Sequence, residues 1–186
     1  MATAALEAGA VLINDIGGLD QEGEMARVAA EFDVALVILH LRGKPKQRND
    51  HCRYDQPVIA QMSAMFEDRV TLALKRGLAP EQIALDPGID FAKRPRHSLS
   101  VLKRMGELTS RFPFPWLAAV SRKTVIGAVL DGQAPADRDP GTAACVSAAI
   151  QGGCHIVRVH NVKAMQDVCR TIDAILLADP PETPDS

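Results

Sequence analysis

Short apolar runs alternate with segments of helical periodicity along the whole chain. Between the runs, apolar residues recur every three or four positions, which is the spacing of amphipathic helices. Strands that alternate with helices predict a parallel sheet with right-handed crossovers, that is, an α/β protein of five βα units. The predicted strands are residues 11–13, 35–39, 83–85, 117–120 and 156–159. The predicted helices are residues 2–9, 25–32, 58–76, 98–108, 141–151 and 162–177, with Gly77 as the stop of the third and Ser98 as the N-cap of the fourth.

Neither of the two glycine motifs that cradle phosphates, GxGxxG and GxxxxGK[ST], follows any of these strands. We therefore favour a TIM-barrel-type arrangement over an open doubly wound sheet. Since a complete barrel has eight strands, five predict an incomplete (β/α)8 barrel with open edges. Residues 1–178 would form this domain, residues 42–56 a mobile loop, and residues 179–186 a disordered tail.

Polar side chains stand where the predicted strands end. Because the C-terminal ends of parallel strands meet at one end of a barrel, where TIM-barrel active sites lie, we expect these side chains to share one cavity. His40, one of them, is more typical of a hydrogen-bonded structural residue than of a catalyst. The full set is Asn14, His40, Asp86, Ser121 with Lys123, and Arg158 with His160.

Arg158 and His160 lie two residues apart on one strand, so their side chains point to the same face. A guanidinium beside an imidazole suits a phosphate or a diphosphate. In barrels, the loops after the last two strands frequently bind phosphate. The alternative is that Arg158 pairs with a structural carboxylate and that His160 caps a loop.

Asp86 ends the central strand, where a buried carboxylate is costly unless a partner compensates it. A ligand with two adjacent N–H donors would be such a partner. Asn14 both donates and accepts, so with Asp86 it could recognise the edge of an amino-oxo heterocycle, to which Lys123 could donate. The alternative for Asp86 is a turn-stabilising role before Pro87 and Gly88.

Composition narrows the class of partner. The 186 residues, 47% of them hydrophobic, suffice for one domain with one core. A net charge of −2 gives no sign of a nucleic-acid partner, and no apolar run reaches membrane-spanning length, so a small-molecule ligand is favoured. The four cysteines show no zinc spacing, which indicates reduced thiols; Cys145, Cys154 and Cys169 are predicted to be packing residues.

Six ordered motifs resemble those of dihydropteroate synthase, over essentially the whole chain from Ala2 to about Leu177. They are INDIGG, HLRG, DPGIDFAK, SRK, GTAA and RVHNV. The resemblance implies a (β/α)8 barrel and a transferase of folate biosynthesis. That enzyme joins p-aminobenzoate to 6-hydroxymethyl-7,8-dihydropterin diphosphate and releases pyrophosphate with the help of Mg2+.

The resemblance also assigns roles to single residues of the pterin pocket. Asn14 and Asp86 resemble the pair that holds the pterin, and Phe91 resembles the aromatic residue that lines the pocket. Lys123 resembles the lysine that contacts the pterin ring, and Arg158 would stack on that ring.

The resemblance also implies which residues bind the diphosphate and the second substrate, p-aminobenzoate. Arg158 and His160 would bind the diphosphate, and Ser121 would lie beside p-aminobenzoate. Since the diphosphate leaves first, Lys123, Arg158 and His160 are the implied catalytic residues, through positioning and leaving-group stabilisation. The resemblance places no metal ligand within this chain.

Two departures from the family pattern bear on function. Asp90 stands where the family usually has glycine, which puts a Cβ and a carboxylate into the loop near the pterin. The match also begins only at the family's fourth strand, so the Mg2+ asparagine loop and the mobile Ser-Thr-Arg loop lie outside it. We therefore expect an N-terminally truncated domain that belongs to a homodimer or to a longer bifunctional chain.

Two other functions compete with the complete enzyme. One is a non-catalytic pterin-binding module that needs a partner chain. The other is the pterin-binding domain of methyltetrahydrofolate methyltransferases, which usually lacks the SRK and RVH motifs present here. The expected location is the cytoplasm, or the mitochondrial matrix for a plant-like eukaryote.

Overall fold

The computed structural model describes residues 1–43, 54 and 57–178. The predicted tail at 179–186 and most of the predicted mobile loop at 42–56 lie outside the described residues. The strands are β1 Leu12–Asp15, β2 Ala35–Leu39, β3 Ile83–Asp86, β4 Leu117–Ala118 and β5 Ile156–Val157. The α-helices are α1 Ala2–Glu7, α2 Glu24–Glu31, α3 Val58–Lys75, α4 Pro95–Lys103, α5 Met105–Arg111, α6 Thr124–Val129, α7 Asp139–Gln151 and α8 Val162–Leu177, with 3-10 turns at Pro80–Gln82 and Pro135–Asp137.

All strand pairs are parallel, and the strands are arranged in chain order. β1, β2 and β3 form one ladder, and β4 and β5 form another. An isolated parallel bridge between Leu85 and Trp116 connects the two ladders, with Leu85 N–H donating to Pro115 O at 2.9 Å. Consecutive parallel strands joined by helices confirm the predicted α/β class of an incomplete barrel.

The two faces of the sheet have different environments. One face packs against helices: Leu36 and Leu85 are fully buried there, and the rings of Phe66 and Trp116 meet edge to face at 5.2 Å. The opposite face, here called the inner face, holds a separate small cluster of buried residues. This cluster consists of Val37, Ala84, Leu117 and Ala119.

The region after β3 differs from the prediction. Residues 98–108 do not form one helix, because α4 ends at Lys103 and α5 begins at Met105. Ser98 is not the N-cap: α4 begins earlier, at Pro95, and proline suits the first helical position because its φ is already helical there. Ser98 is instead fully buried within α4.

The last two strands are shorter than predicted, and one helix was not predicted. β4 and β5 have two residues each, and the chain turns after Val120, whose carbonyl accepts a hydrogen bond from Lys123 N–H at 3.4 Å. α6 has only six residues, too few for the helical period to be visible in the sequence. None of the described helices is long and apolar enough to cross a membrane.

Candidate active site

The strand register determines which of the predicted residues share the inner face. Asn14 lies opposite Val37, Val37 lies opposite Ala84, and Asp86 follows Ala84 by two residues. Since side chains alternate between faces with a period of two, Asn14 and Asp86 both belong to the inner face. Ile156 lies opposite the inner-face residue Leu117. Arg158 follows Ile156 by two residues and therefore belongs to the inner face as well.

Asp86 is the buried acid of this face, with 2% of its surface exposed. Its Oδ1 accepts a hydrogen bond from Gly88 N–H at 2.7 Å, so the predicted turn-stabilising role is real. Burial raises the pKa of the Asp86 carboxyl, while the Gly88 N–H and the neighbouring cations Lys123, Lys93 and Arg158 act in the opposite direction. The same carboxylate therefore stabilises the turn and lies near three cations.

Lys123 lies beyond the end of β4 and immediately precedes α6, close enough to Asp86 to interact with it electrostatically. Its Nζ donates to Ile89 O at 2.5 Å and lies 4.7 Å from the centroid of the Phe91 ring, a cation–π distance. Burial lowers the pKa of Lys123, and the Asp86 carboxylate opposes that shift. The structure therefore brings Asp86, Phe91 and Lys123 together.

Arg158 supplies a second cation close enough to Asp86 and Lys123 to act on the pKa of both. Its side chain is exposed and forms no hydrogen bond or ion pair within the described part of the chain. Pairing with a structural carboxylate, the alternative weighed from the sequence, is therefore not observed among these residues. An exposed guanidinium beside a buried acid is available for an anion.

Three further predicted residues have different surroundings. The Ser121 hydroxyl is buried and lies 2.9 Å from His160 Nδ1, and it also accepts from His160 N–H at 3.2 Å. The loops after β4 and β5 are thus joined at the position expected for a diphosphate. Asn14 is exposed on β1, on the same face as Asp86, and β2 lies between its strand and β3.

Lys93, a buried lysine in the loop after β3, was not predicted from the sequence. Its Nζ lies 2.8 Å from His40 Nδ1 and donates to Gly88 O at 3.0 Å and to Phe91 O at 3.3 Å. Gly88 approaches β2 so closely, at φ +62°, that a Cβ there would lie 2.2 Å from His40 O. Lys93 and Gly88 therefore hold the loop after β3 against the end of β2, and His40 has the structural role expected for it.

Asp139 joins the loops after β4 and β5, and it too was not predicted. Its carboxylate accepts from Arg122 Nε at 2.8 Å and from Asn161 Nδ2 at 2.9 Å. Arg122 has a left-handed backbone at φ +58°, which this bidentate ion pair helps to hold. These contacts hold the residue before Lys123 and the residue after His160.

Asp139 gives a prediction on pH. The hydrogen bonds from Arg122 and Asn161 lower its pKa from 3.8 to about 2. A carboxyl whose pKa is depressed on folding stabilises the fold above its unfolded pKa and loses that contribution as pH falls through the folded pKa. We expect Asp139→Asn to flatten the loss of stability between pH 3.8 and about 2, measured as urea midpoints at stepped pH. Asp137→Asn, at an exposed position in the same segment, should leave the profile unchanged.

Comparison with known proteins agrees with this geometry. A parallel βα-repeat fold with an acid and two cations at the strand ends has the form of a barrel enzyme. The family model described as "Pterin binding enzyme" matches residues 1–160. The chain therefore belongs to the pterin-binding enzymes.

Its relatives within that family are dihydropteroate synthases. The dihydropteroate synthase of Synechocystis is 42% identical over 175 residues, which cover 94% of this chain and 60% of that protein. Two structures of the Thermus thermophilus enzyme, one in complex with 6HMPPP and one with 4-aminobenzoate, each align at 34% identity with a TM-score of 0.86, covering 94% of this chain and 68% and 70% of theirs.

The chain covers a smaller share of a longer relative. The folic acid synthesis protein fol1 of Schizosaccharomyces pombe is 36% identical over 178 residues, which cover 94% of this chain but only 24% of that protein. The chain thus spans about 60% of the length of the bacterial-type curated relative and a smaller share of the fungal one.

Proposed function

We propose that this chain carries the pterin-binding part of a dihydropteroate synthase. This transferase of folate biosynthesis joins p-aminobenzoate to 6-hydroxymethyl-7,8-dihydropterin diphosphate and releases pyrophosphate. The observation that carries the proposal is the buried Asp86 carboxylate on the inner face of the sheet, close enough to Lys123 and Arg158 for both cations to act on its pKa. Membership of the pterin-binding enzymes and the ligands of the Thermus structures support it.

In this proposal the residues of the inner face and of the loop after β3 bind the pterin. Asp86 accepts two N–H bonds from the pterin edge, which compensates the cost of its burial. Asn14 contributes to that edge from the neighbouring part of the inner face, Phe91 lines the ring, and Lys123 donates to a ring oxygen or nitrogen. The aryl amine then attacks the carbon from which the diphosphate has departed.

The diphosphate side has cationic and polar residues. Arg158 stabilises the negative charge that develops on the leaving group, and His160 donates to it from the loop after β5. Ser121, which is bonded to His160, orients that imidazole and lies where p-aminobenzoate is expected to bind. The chemistry then consists mainly of positioning and of neutralising charge.

Mg2+ remains a prediction from the family resemblance. Mg2+ is usually bound by one or two carboxylates together with substrate phosphates and water. Within residues 1–43, 54 and 57–178, no group of three or more His, Cys, Asp or Glu side chains could hold a metal ion. Since an ion held mainly by substrate phosphates needs fewer protein ligands than that, Mg2+ stays a proposal and no step is assigned to it.

A pterin-binding module without turnover is the second candidate. Within the described residues, β1 and β5 each pair with one strand only, and their residues Leu12 and Ile156 are 41% and 39% exposed. An open sheet edge of this kind is normally covered by further strands or by another chain. We propose a homodimer or a longer chain as the covering partner, and the length of the fungal relative supports the second of these. We further propose a cytoplasmic location.

The two candidates are separated by measuring binding and turnover on the same preparation. Pyrophosphate release is followed with the pterin diphosphate, p-aminobenzoate and MgCl2, and pterin binding is measured by calorimetry. Turnover supports the synthase, and binding without turnover supports the module. No pterin binding by the folded chain would contradict both.

The diphosphate assignment predicts a selective loss in one variant. Arg158→Ala should weaken binding of the pterin diphosphate about 30-fold, because a hydrogen bond to a charged group contributes about 2 kcal/mol. The affinity for the pterin without its diphosphate should change much less. Arg27→Ala, which removes an exposed arginine on α2, is the control. Equal losses for both pterins would contradict the assignment of Arg158 to the diphosphate.

A further inference from the structure

Asp90 lies in the loop between β3 and α4 with a left-handed backbone, φ +65°. Asp and Asn adopt this conformation more readily than most residues other than glycine. The aspartate therefore fits the backbone that a glycine would favour at this position. Its side chain adds contacts that glycine cannot make.

The Asp90 carboxylate connects three segments of the chain. Oδ2 accepts a hydrogen bond from Thr124 Oγ1 at 2.7 Å and from Val125 N–H at 3.1 Å, both in the first turn of α6. Oδ1 accepts from Ser98 Oγ in α4 at 3.3 Å, and Asp90 N–H donates to the same hydroxyl at 3.1 Å. The residue that precedes α6 provides no side-chain cap, so Asp90 caps this helix from another loop.

The neighbours of Asp90 contact Lys123, which immediately precedes α6. Ile89 O accepts from Lys123 Nζ, and the Phe91 ring lies 4.7 Å from the same atom. Residues 89, 90 and 91 thus engage residues 123–125 through a carbonyl, a carboxylate and an aromatic ring in succession. The negative charge of Asp90 also raises the pKa of Lys123, against the larger effect of burial.

We propose that Asp90 is a positioning residue that fixes the Lys123 ammonium over Phe91 and beside Asp86, where the pterin ring would bind. The proposal rests on the proposed pterin-binding function and adds to it a residue that acts through Lys123. It explains how a carboxylate is accommodated in this loop. Its charge is satisfied by α6 and Ser98, away from the ligand.

Two substitutions separate the charge from the hydrogen bonds. Asp90→Asn keeps an acceptor for Val125 N–H and removes the charge, whereas Asp90→Ala removes both. Asp33→Ala is the matched control, because Asp33 also has a positive φ, +52°, and accepts a side-chain hydrogen bond, from Gln82 Nε2 at 3.0 Å. Asp33 precedes β2 by two residues and so lies at the opposite end of the sheet.

Three measurements test the proposal. In Asp90→Ala, amide exchange at Val125 should be about 10-fold faster, the effect of losing a typical helix cap. In both variants the pKa of Lys123, measured by NMR, should be lower, because the Asp90 charge that raises it is gone. The Kd for 6-hydroxymethyl-7,8-dihydropterin should rise about 10-fold in Asp90→Ala and less in Asp90→Asn, since the cap is kept there. Asp33→Ala should match the wild type in all three.

The outcomes distinguish this proposal from the one on which it rests. If the wild-type chain does not bind the pterin, the proposed function fails, while the Lys123 titration still decides whether Asp90 acts on Lys123. An unchanged Lys123 titration in both variants overturns the positioning role. Faster exchange at Val125 with unchanged pterin affinity also overturns it, because Asp90 would then only stabilise α6.

Discussion

Asp86→Ala is expected to weaken pterin binding by about 100-fold or more. In the proposed complex the carboxylate accepts two N–H bonds from the pterin, and hydrogen bonds to charged groups contribute about 1.5–3 kcal/mol each. Since about 1.4 kcal/mol is a factor of ten, losing both corresponds to at least 100-fold. Asp86→Asn should be nearly as damaging, because its amide presents donors where the ligand also has donors.

The Asp86→Asn substitution should weaken pterin binding without lowering the stability of the fold. Burial raises the pKa of Asp86 in the folded state. A carboxyl whose pKa is raised on folding favours the fold most at low pH, and this contribution is lost as pH rises through the folded pKa. At neutral pH the Asp86 charge therefore costs stability, and Asp86→Asn should be at least as stable as the wild type because it keeps an acceptor for Gly88 N–H.

Calorimetric titration with the pterin and urea unfolding at pH 7 test both parts of this prediction. Asp33→Asn, which alters an exposed aspartate at the other end of the sheet, is the control and should bind normally. A stable Asp86→Asn variant that binds the pterin with wild-type affinity would remove the main support for the pterin site. Loss of binding together with unfolding would instead indicate a structural role for Asp86.

The sequence pattern predicted those parts of the fold that depend on local periodicity. β2 has the predicted bounds, Ala35–Leu39, because a continuous apolar run leaves few other choices. α8, Val162–Leu177, also has the predicted bounds, because 16 residues show more than four helical turns. The barrel-type order of the strands followed from the alternation of these two patterns.

Local pattern failed where a short element or a distant contact decides the structure. α6 is too short for a visible period, and its start depends on the Asp90 carboxylate, which comes from 34 residues earlier. Serine is a preferred N-cap residue, yet the helix begins at Pro95, three residues before Ser98. Ser98 then pairs with Asp90, a contact that no periodicity reveals.

For the candidate site, the sequence predicted the groups that point to the inner face but not those that hold them. Asp86 and Arg158 stand at the ends of β3 and β5, where the alternation of side chains places both on one face. Lys123 lies beyond the end of β4, and its contacts with Ile89 O and the Phe91 ring place it near them. Lys93 and Asp139 lie in loops or at a helix start, where a charged residue is usually solvated. Their roles depend on contacts across 53 residues, from Lys93 to His40, and across 17, from Asp139 to Arg122.

Lys93→Met is expected to lower the free energy of unfolding by about 3 kcal/mol, the largest stability effect we predict. The side chain is 8% exposed, and its Nζ interacts with His40 Nδ1, His40 O, Gly88 O and Phe91 O. Methionine fills a similar volume but has no hydrogen-bond donor, so these acceptors would lose the Lys93 ammonium that they share. An unsatisfied buried polar group costs about 1–3 kcal/mol, which makes the loss of several at once severe.

The substitution should also change the response to acid. Burial, and then the Lys93 charge, lower the pKa of His40 well below 6.5. A histidine whose pKa is depressed on folding gives stability above its unfolded pKa and loses it as pH falls below 6.5. Without the Lys93 charge, the His40 pKa should rise part of the way back. The loss of stability below pH 6.5 should therefore be less steep in Lys93→Met than in the wild type.

Urea unfolding at stepped pH from about 5 to 8 would measure both effects, about 3 kcal/mol at neutral pH and the shallower acid slope. Lys103→Met, at an exposed position in the last turn of α4, is the matched control and should leave both unchanged. Because Lys93 holds Gly88 and Phe91 in place, the variant should also bind the pterin more weakly even where it is fully folded. Wild-type stability in Lys93→Met would show that the loop after β3 is held by other contacts, and Asp86 would then owe its position to β3 and Gly88 alone.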